Sequence, residues 1–270
     1  MAQPLVLRSP KYDRESISVP SEAADLEKVF SGTICSRKGD EYEIRENIID
    51  LLGKHYEKKS LAQYSNEWFL TASLYEDYWR KNAVSLLSGQ DFPLEKEKQL
   101  LHQWMPARSD KWYLDIGCST ALYARFMASQ TKSANVVALD YSMNMLHKAR
   151  EKARQEQLSF YLLRADAQAM PFFQSTFDGL LCGGTLNELT DPVKVLYEAR
   201  RILKKDGTLF LMHLLQGKTW YERLLQESSK LGGLSFWNIK QSNNMFHQTG
   251  FEVDEQETYG WVCFSRLKAV

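Results

Sequence analysis

Three acidic residues stand at the ends of three short apolar segments in the middle of the chain. Asp115 and Asp140 close the first two segments, and Asp166 comes three residues after the third. A carboxylate at the end of a buried strand can accept hydrogen bonds from the hydroxyls of a ribose or from an adenine amino group. The alternatives are an N-cap for a helix starting near Ser142, in the case of Asp140, and an exposed loop, in the case of Asp166. Their joint order favours a nucleoside-binding site.

Small residues fill the loop that follows the first apolar segment. Gly117, Cys118, Ser119 and Ala121 precede an apolar helical stretch. A turn of small residues lets the backbone approach a ligand closely, and the N-terminus of the next helix offers free amides. Ser119 and Ala121 stand where a dinucleotide fingerprint has further glycines, which disfavours a nicotinamide-dependent oxidoreductase.

Alternating apolar strands and helical segments from residue 106 onward must position these residues. The strands are expected at 112–116, 136–139, 160–163, 177–182 and 208–212, with two closing strands at 251–257 and 261–265. Ser142 and the pair Asp191-Pro192 are typical helix starts. Strands that alternate with helices predict a parallel α/β sheet, and ligands of such sheets bind at the carboxyl ends of the strands.

The first hundred residues have a different texture. Residues 1–30 are polar and proline-containing, and they are expected to form a loosely ordered lead-in. Two short strands flank the turn at 37–40. Residues 61–87 are aromatic and helical in pattern. We therefore predict an N-terminal appendage at 1–60, a helical lid at 61–105 and a sheet domain at 106–270.

The overall composition limits the classes of partner. The chain has 270 residues, with 34 basic and 34 acidic side chains, and this zero net charge argues against nucleic acid. The four cysteines form no CxxC pair, so free thiols in the cytoplasm and no metal site are expected. No signal peptide or membrane-spanning segment is evident. A monomer or homodimer and peripheral membrane contact are compatible with the sequence.

Several motifs together resemble the class I S-adenosylmethionine-dependent methyltransferases, in the branch that includes quinone-biosynthesis methyltransferases and their cyanobacterial and plastid relatives. The motifs lie at 114–118, 138–142 with 145–146, 164–167 with 170–172, 177–178 and 199–209. The resemblance implies a Rossmann-like seven-stranded sheet, mostly parallel with the last strand antiparallel, with a helical lid and a small β appendage. The relatives carry a cysteine-rich segment before this domain. Only Cys35 remains of it here, so no zinc is expected.

The resemblance also implies S-adenosyl-L-methionine as cofactor and assigns its contacts. Asp140 would hold the ribose, Tyr141, Asp166 and Ala167 the adenine, and Arg80 the carboxylate. The cofactor-binding residues implied in this way are Arg80, Asp115, Gly117, Cys118, Ser119, Asp140, Tyr141, Met145, Asp166, Ala167, Cys182 and Gly183. The family usually has glycine at positions 119 and 121. Serine and alanine are small, so binding is expected to survive.

The predicted function is therefore methylation of an apolar or aromatic small molecule, such as a quinone, lipid or secondary metabolite. A base is needed only where the acceptor is a hydroxyl or an acidic carbon, and His213 and Glu188 are the candidates. The alternative for His213 is a structural role. Aromatic residues at 64–79, together with Trp220, Phe236 and Trp237, suggest an apolar acceptor pocket. A non-catalytic binding protein on the same fold is the alternative function, since two loop glycines are missing.

Overall fold

A ten-stranded sheet is the centre of the computed structural model, which describes residues 4–11, 15–53, 84–85, 87–131, 135–231 and 233–270. Its strands, together with a separate two-stranded hairpin of β1 and β2, are β1 (Leu5–Arg8), β2 (Ser16–Val19), β3 (Gly32–Cys35), β4 (Glu41–Arg45), β5 (Ile48–Asp50), β6 (Trp112–Ile116), β7 (Asn135–Asp140), β8 (Tyr161–Arg164), β9 (Phe177–Gly183), β10 (Leu203–Leu214), β11 (Phe251–Tyr259) and β12 (Val262–Ala269).

The order of strands across the large sheet is β11-β12-β10-β9-β6-β7-β8-β5-β4-β3. Strands β8, β7, β6, β9 and β10 are parallel to their neighbours in this run. The last strand of the chain, β12, is antiparallel to both β10 and β11. The α/β class and the mostly parallel sheet with an antiparallel last strand are confirmed. The expected strand number, seven, is wrong because β3, β4 and β5 extend the sheet beyond β8.

The described N-terminal residues are more ordered than their composition suggests. Strands β3 and β4 form the expected hairpin around residues 37–40. The expectation of a loosely ordered lead-in is wrong for the described residues, because β1 pairs with β2 and buries Leu5 and Leu7. The arginine of this hairpin, Arg8, donates its backbone N–H to Pro171 O at 2.9 Å, which attaches the hairpin to the sheet domain. The division into appendage, lid and sheet domain remains a prediction.

Helices cover both faces of the sheet and begin at recognisable caps. Ser142 caps α3 by accepting the Met145 N–H, and Asp191 caps α4 ahead of Pro192. Asn238 and Gln241 form a reciprocal capping box on α6. The helices are α1 (Leu94–Trp104), α2 (Leu122–Gln130), α3 (Met143–Gln155), α4 (Pro192–Ile202), α5 (Trp220–Leu231) and α6 (Ile239–Gln248).

Two apolar layers form the core, one on each face of the sheet. One contains buried side chains of α4, α6 and the β1–β2 hairpin, and the other those of α1, α2 and α3. All six residues of β7 are buried, as expected for a central parallel strand covered on both faces. The carboxyl ends of β6, β7, β8 and β9 therefore lie on a rigid scaffold.

Candidate cofactor-binding site

The loop between β6 and α2 turns at three residues with left-handed backbone. The φ angle is +64° at Gly117, +50° at Ser119 and +59° at Ala121. Residues with a Cβ adopt this conformation at a cost, whereas glycine does not. A Cβ built on Gly117 would lie 2.3 Å from Cγ2 of Thr185, so no side chain fits there. The two positions where the sequence lacks the family's glycines are thus strained positions.

Replacing Ser119 by glycine is expected to stabilise the protein. The left-handed backbone costs about 1–2 kcal/mol in an L-residue, and glycine loses about 0.5–1 kcal/mol of additional chain entropy on folding. The net gain is about 0.5–1 kcal/mol, or roughly 2 °C in the midpoint of a thermal unfolding curve. Gln157→Gly is the control for a left-handed residue outside this loop, because Gln157 is exposed and has a φ angle of +55°. A midpoint below that of the wild type would contradict the strain.

Two buried carboxylates hold this loop in place. Asp115 accepts the N–H of Ala124 in α2 at 3.0 Å. Asp140 accepts the N–H of Ser119 at 2.8 Å and the N–H of Ser142 at 2.9 Å, one on each oxygen. Burial raises the pKa of Asp140 above its usual value, while these N–H groups oppose the shift. A carboxylate has about four acceptor positions, so capacity remains for ribose hydroxyls beside these N–H groups and that of Tyr141.

The ends of β7 and β8 lie side by side beyond this carboxylate. Ala165 donates its N–H to Asp140 O at 3.1 Å. Asp166 is half-buried and accepts the Gln168 N–H at 2.8 Å, so it caps a short 3-10 helix at Ala167–Ala169. The alternative of a freely exposed Asp166 is therefore not what the structure shows. The carboxyl ends of β7 and β8 therefore place the Asp140 carboxylate, which could hold a ribose, near the small apolar residue Ala167.

The remaining small residues of the site come from the loop and from β9. Ser119 Oγ lies 3.5 Å from Met145 Sδ, which joins the loop to α3. Burial raises the pKa of the Cys118 thiol well above its usual value and that of Cys182 to about 12. Both thiols are therefore neutral at pH 7, and a neutral thiol is a poor nucleophile.

Thr185 was not selected from the sequence, yet it connects the two halves of the site. Its Oγ1 donates to Gly117 O at 2.9 Å, which joins the end of β9 to the β6–α2 loop. Gly184 precedes it with φ +89° and donates its N–H to Met212 O at 2.9 Å. Thr185 and Gly117 are 68 positions apart, so no local pattern reveals the contact between them.

The geometry fits a nucleoside cofactor, and the comparisons identify its kind. Residues 114–211 match the family model described as a methyltransferase domain. This segment is a class I methyltransferase domain. Its cofactor is S-adenosylmethionine. This match to a methyltransferase model disfavours the alternative of a nicotinamide-dependent oxidoreductase.

Relatives of the methyltransferase domain are named after the same chemistry. An uncharacterized chloroplastic methyltransferase of Arabidopsis thaliana is 26% identical over 68% of this chain and 54% of the relative. A demethylmenaquinone methyltransferase of Bacillus velezensis is 30% identical over 53% of this chain and 60% of the relative. The chain thus spans less than two thirds of the length of either relative.

A solved structure shares the fold of the methyltransferase domain. It is a phospholethanolamine N-methyltransferase of Haemonchus contortus in complex with phosphomonomethylethanolamine and S-adenosylhomocysteine. The TM-score is 0.55 at 24% identity, over 70% of this chain and 45% of the other. At this identity the likeness concerns the fold alone.

The candidate base His213 lies on β10, just beyond the segment that matches the family model. It is fully buried. Its ring packs edge-on against Phe246 of α6, with 5.5 Å between ring centroids. Neither ring nitrogen has a hydrogen-bond partner among the described residues. Burial lowers the pKa of His213 to about 4, so the ring is neutral at pH 7. A base must reach the proton that it removes, and this ring contacts no solvent.

The other sequence-predicted residues are distributed as follows. Glu188 is half-buried at the end of a 3-10 helix, Thr185–Glu188, directly after the Gly183-Gly184 turn. Arg80 and the aromatic residues at 64–79 lie outside the described residues. Trp220 is 78% exposed on α5 and forms no pocket wall there, whereas Phe236 and Trp237 are half-buried.

Asn187 is a second residue that the sequence did not indicate. It is fully buried, and its side-chain amide donates to Leu214 O at 3.0 Å and to Ser235 O at 2.6 Å. Its Oδ1 accepts the Leu214 N–H at 2.8 Å. These bonds attach the end of β10 and the segment before α6 to the site.

Two absences concern the described part of the chain alone. Within it, no group of three or more His, Cys, Asp or Glu side chains could hold a metal ion. None of its helices is long and apolar enough to cross a membrane.

Proposed function

We propose that this protein transfers the methyl group of S-adenosylmethionine to an apolar or aromatic small molecule. The observation that supports it most is the position of Asp140. This buried carboxylate accepts N–H groups from both the β6–α2 loop and the start of α3, and it retains acceptor capacity between them. A ribose placed there would have the left-handed loop on one side and Tyr141 on the other.

Each group of the site would have a separate task. The bound cofactor supplies an electrophilic methyl group, so the protein must orient the two reactants and exclude water. Asp140 would hold the ribose, while Tyr141, Met145, Asp166 and Ala167 would surround the adenine. Asp115, Gly117, Cys118 and Ser119 would shape the backbone under the methionine part. Cys182 and Gly183 would lie beneath the sulfonium, and Arg80 would pair with the carboxylate.

Of the two candidate bases, Glu188 is the better placed. It follows the turn at Gly183 and Gly184, whose small size leaves room for an acceptor, and it is half-buried. His213 is sealed behind Phe246 in the same region. Where the acceptor carries an acidic proton, Glu188 would receive it; other acceptors require no base.

The class of acceptor follows from the relatives and from the charge. Relatives are named after demethylmenaquinone and after biotin biosynthesis. The net charge of zero provides no general attraction for nucleic acid. We further propose a cytoplasmic monomer or homodimer that makes at most peripheral contact with membranes. One plant relative is named chloroplastic, so fractionation of cells is the direct check of location.

A non-catalytic binding protein is the second candidate, and one observation favours it. Ser119 and Ala121 keep the left-handed backbone without the glycines that suit it. Binding of the cofactor without any methylation of quinone, phenol or lipid acceptors would distinguish this function from catalysis.

Titration calorimetry with S-adenosylhomocysteine tests both candidates together with the role of Asp140. The wild type is expected to bind, and Asp140→Ala to bind about 30-fold more weakly, since two charge-assisted hydrogen bonds to the ribose are lost. Asp178→Ala is the matched control, because Asp178 also accepts a backbone N–H, from Trp112, but at the amino ends of the central strands. Absence of binding by the wild type would refute the proposed function, and unchanged affinity in Asp140→Ala would refute the assignment of the ribose.

A further inference from the structure

The N-terminal strand β5 is integrated into the sheet beside the proposed adenosine site. It pairs in parallel with β8, and its Ile48 and Ile49 are fully buried, one in each apolar layer. Asp50 at its end lies in register with Arg164 of β8, and Arg164 lies in register with Asp140 of β7. A row of three charged residues therefore crosses three strands at their carboxyl ends.

Arg164 connects Asp50 to Tyr141, the residue that follows Asp140. Its NH1 donates to the Asp50 oxygens at 3.2 and 3.0 Å and to Gly53 O at 2.9 Å. Its Nε donates to Tyr141 O at 3.0 Å. The guanidinium thus bonds the N-terminal strand on one side and the backbone between Asp140 and Ser142 on the other.

Partial burial gives this contact more weight than a surface ion pair. The side chain of Arg164 is 17% exposed and that of Asp50 is 9% exposed. Asp50 is itself oriented, because its Oδ1 accepts the N–H groups of Leu52 and Gly53 at 3.0 and 2.9 Å. Exposed pairs contribute little, whereas a guanidinium held at several acceptors keeps a fixed geometry.

We infer that Asp50 and Arg164 are positioning residues for the adenosine half of the cofactor. Asp50 fixes the guanidinium, the guanidinium fixes the Tyr141 carbonyl, and this carbonyl sets the backbone that carries Asp140 and the side chain of Tyr141. The inference rests on the proposed function, since it takes Asp140 and Tyr141 as the adenosine-binding groups. Strand β5 then takes part in cofactor binding indirectly, through Arg164 and Tyr141, and not by contacting the cofactor.

The test measures the affinities of S-adenosylhomocysteine and adenosine for the full chain. Asp50→Asn is expected to weaken both by about fivefold, the share of one hydrogen-bonded contact. Asp50→Glu, which keeps the carboxylate, is expected to bind within about twofold of the wild type. Asp254→Asn is the control, because Asp254 pairs with Arg266 and Lys268 on β12, at the far edge of the sheet, and its loss should leave both affinities unchanged. If Asp50→Asn does not fold, Arg164→Lys serves instead, since lysine cannot reach Asp50 and the Tyr141 carbonyl together.

The outcomes separate this inference from the proposed function. A wild type that binds no S-adenosylhomocysteine refutes the proposed function itself. A wild type that binds, with a folded Asp50→Asn variant of equal affinity, overturns the positioning role alone. A loss for S-adenosylhomocysteine without a loss for adenosine also overturns it, because the effect would then lie outside the adenosine half. An equal loss for both ligands, restored in Asp50→Glu, supports it.

Discussion

Gly117→Ala is expected to abolish binding of S-adenosylhomocysteine and to lower the free energy of unfolding by about 3 kcal/mol or more. Two effects add at this position. The backbone has φ +64°, and the new Cβ would lie 2.3 Å from Cγ2 and 2.4 Å from Oγ1 of Thr185. Thr185 can move away only by giving up its bond to Gly117 O, which joins β9 to the loop.

Two further variants separate the clash from the backbone strain. Gly39 has φ +89° in the turn between β3 and β4, and a Cβ there meets no atom within 4 Å. Gly39→Ala is therefore expected to cost only about 1 kcal/mol. The double variant Gly117→Ala/Thr185→Gly should recover the steric share of the loss. Urea unfolding and calorimetry measure both quantities, and a Gly117→Ala variant no worse than Gly39→Ala would disprove the tight contact.

His213→Leu is expected to remove a large part of the loss of stability in acid. The pKa of His213 falls from 6.5 to about 4 on folding, because the buried ring resists protonation. Between these values the unfolded chain takes up a proton that the folded chain does not. Stability therefore falls as the pH falls through this window, by about 3 kcal/mol at its lower end.

Leucine carries no proton and has a similar volume, so the variant should lack this contribution. At pH 7 it should be as stable as the wild type or about 1 kcal/mol more stable, since two unpartnered ring nitrogens leave the core. His147→Leu on the exposed face of α3 is the control and should keep the acid loss. Urea unfolding at pH 7 and pH 4.5 gives the comparison. An unchanged acid loss in His213→Leu would show that the ring is not sealed.

Local patterns predicted the parts of the structure that local chemistry determines. Ser142 and Asp191 start helices where a side-chain oxygen meets free N–H groups. Asp115 and Asp140 stand at the ends of buried strands, since a run of apolar residues ends where the chain leaves the core. The confirmed fold and the match to a methyltransferase domain depend on these short segments, and each of them is contiguous in sequence.

Contacts between distant segments were not predictable in the same way. Strand β5 has three residues, too few for a distinctive pattern, and its place beside β8 depends on pairing over more than a hundred positions. The burial of His213 follows from the packing of α6 onto β10, which no pattern around residue 213 reports. The strain at Ser119 is likewise a property of the loop's φ angles and not of its composition.

Strands β8 and β10 acquire their outer neighbours at different times during synthesis. Strand β5 is already made when β8 emerges, so the edge of β8 can be closed at once. Strand β10 has twelve residues, and its outer edge pairs with β12, which is made about fifty residues later. An unpaired edge of that length is a template for association with other chains. Demand for chaperones should therefore concentrate in the interval between translation of β10 and of β12.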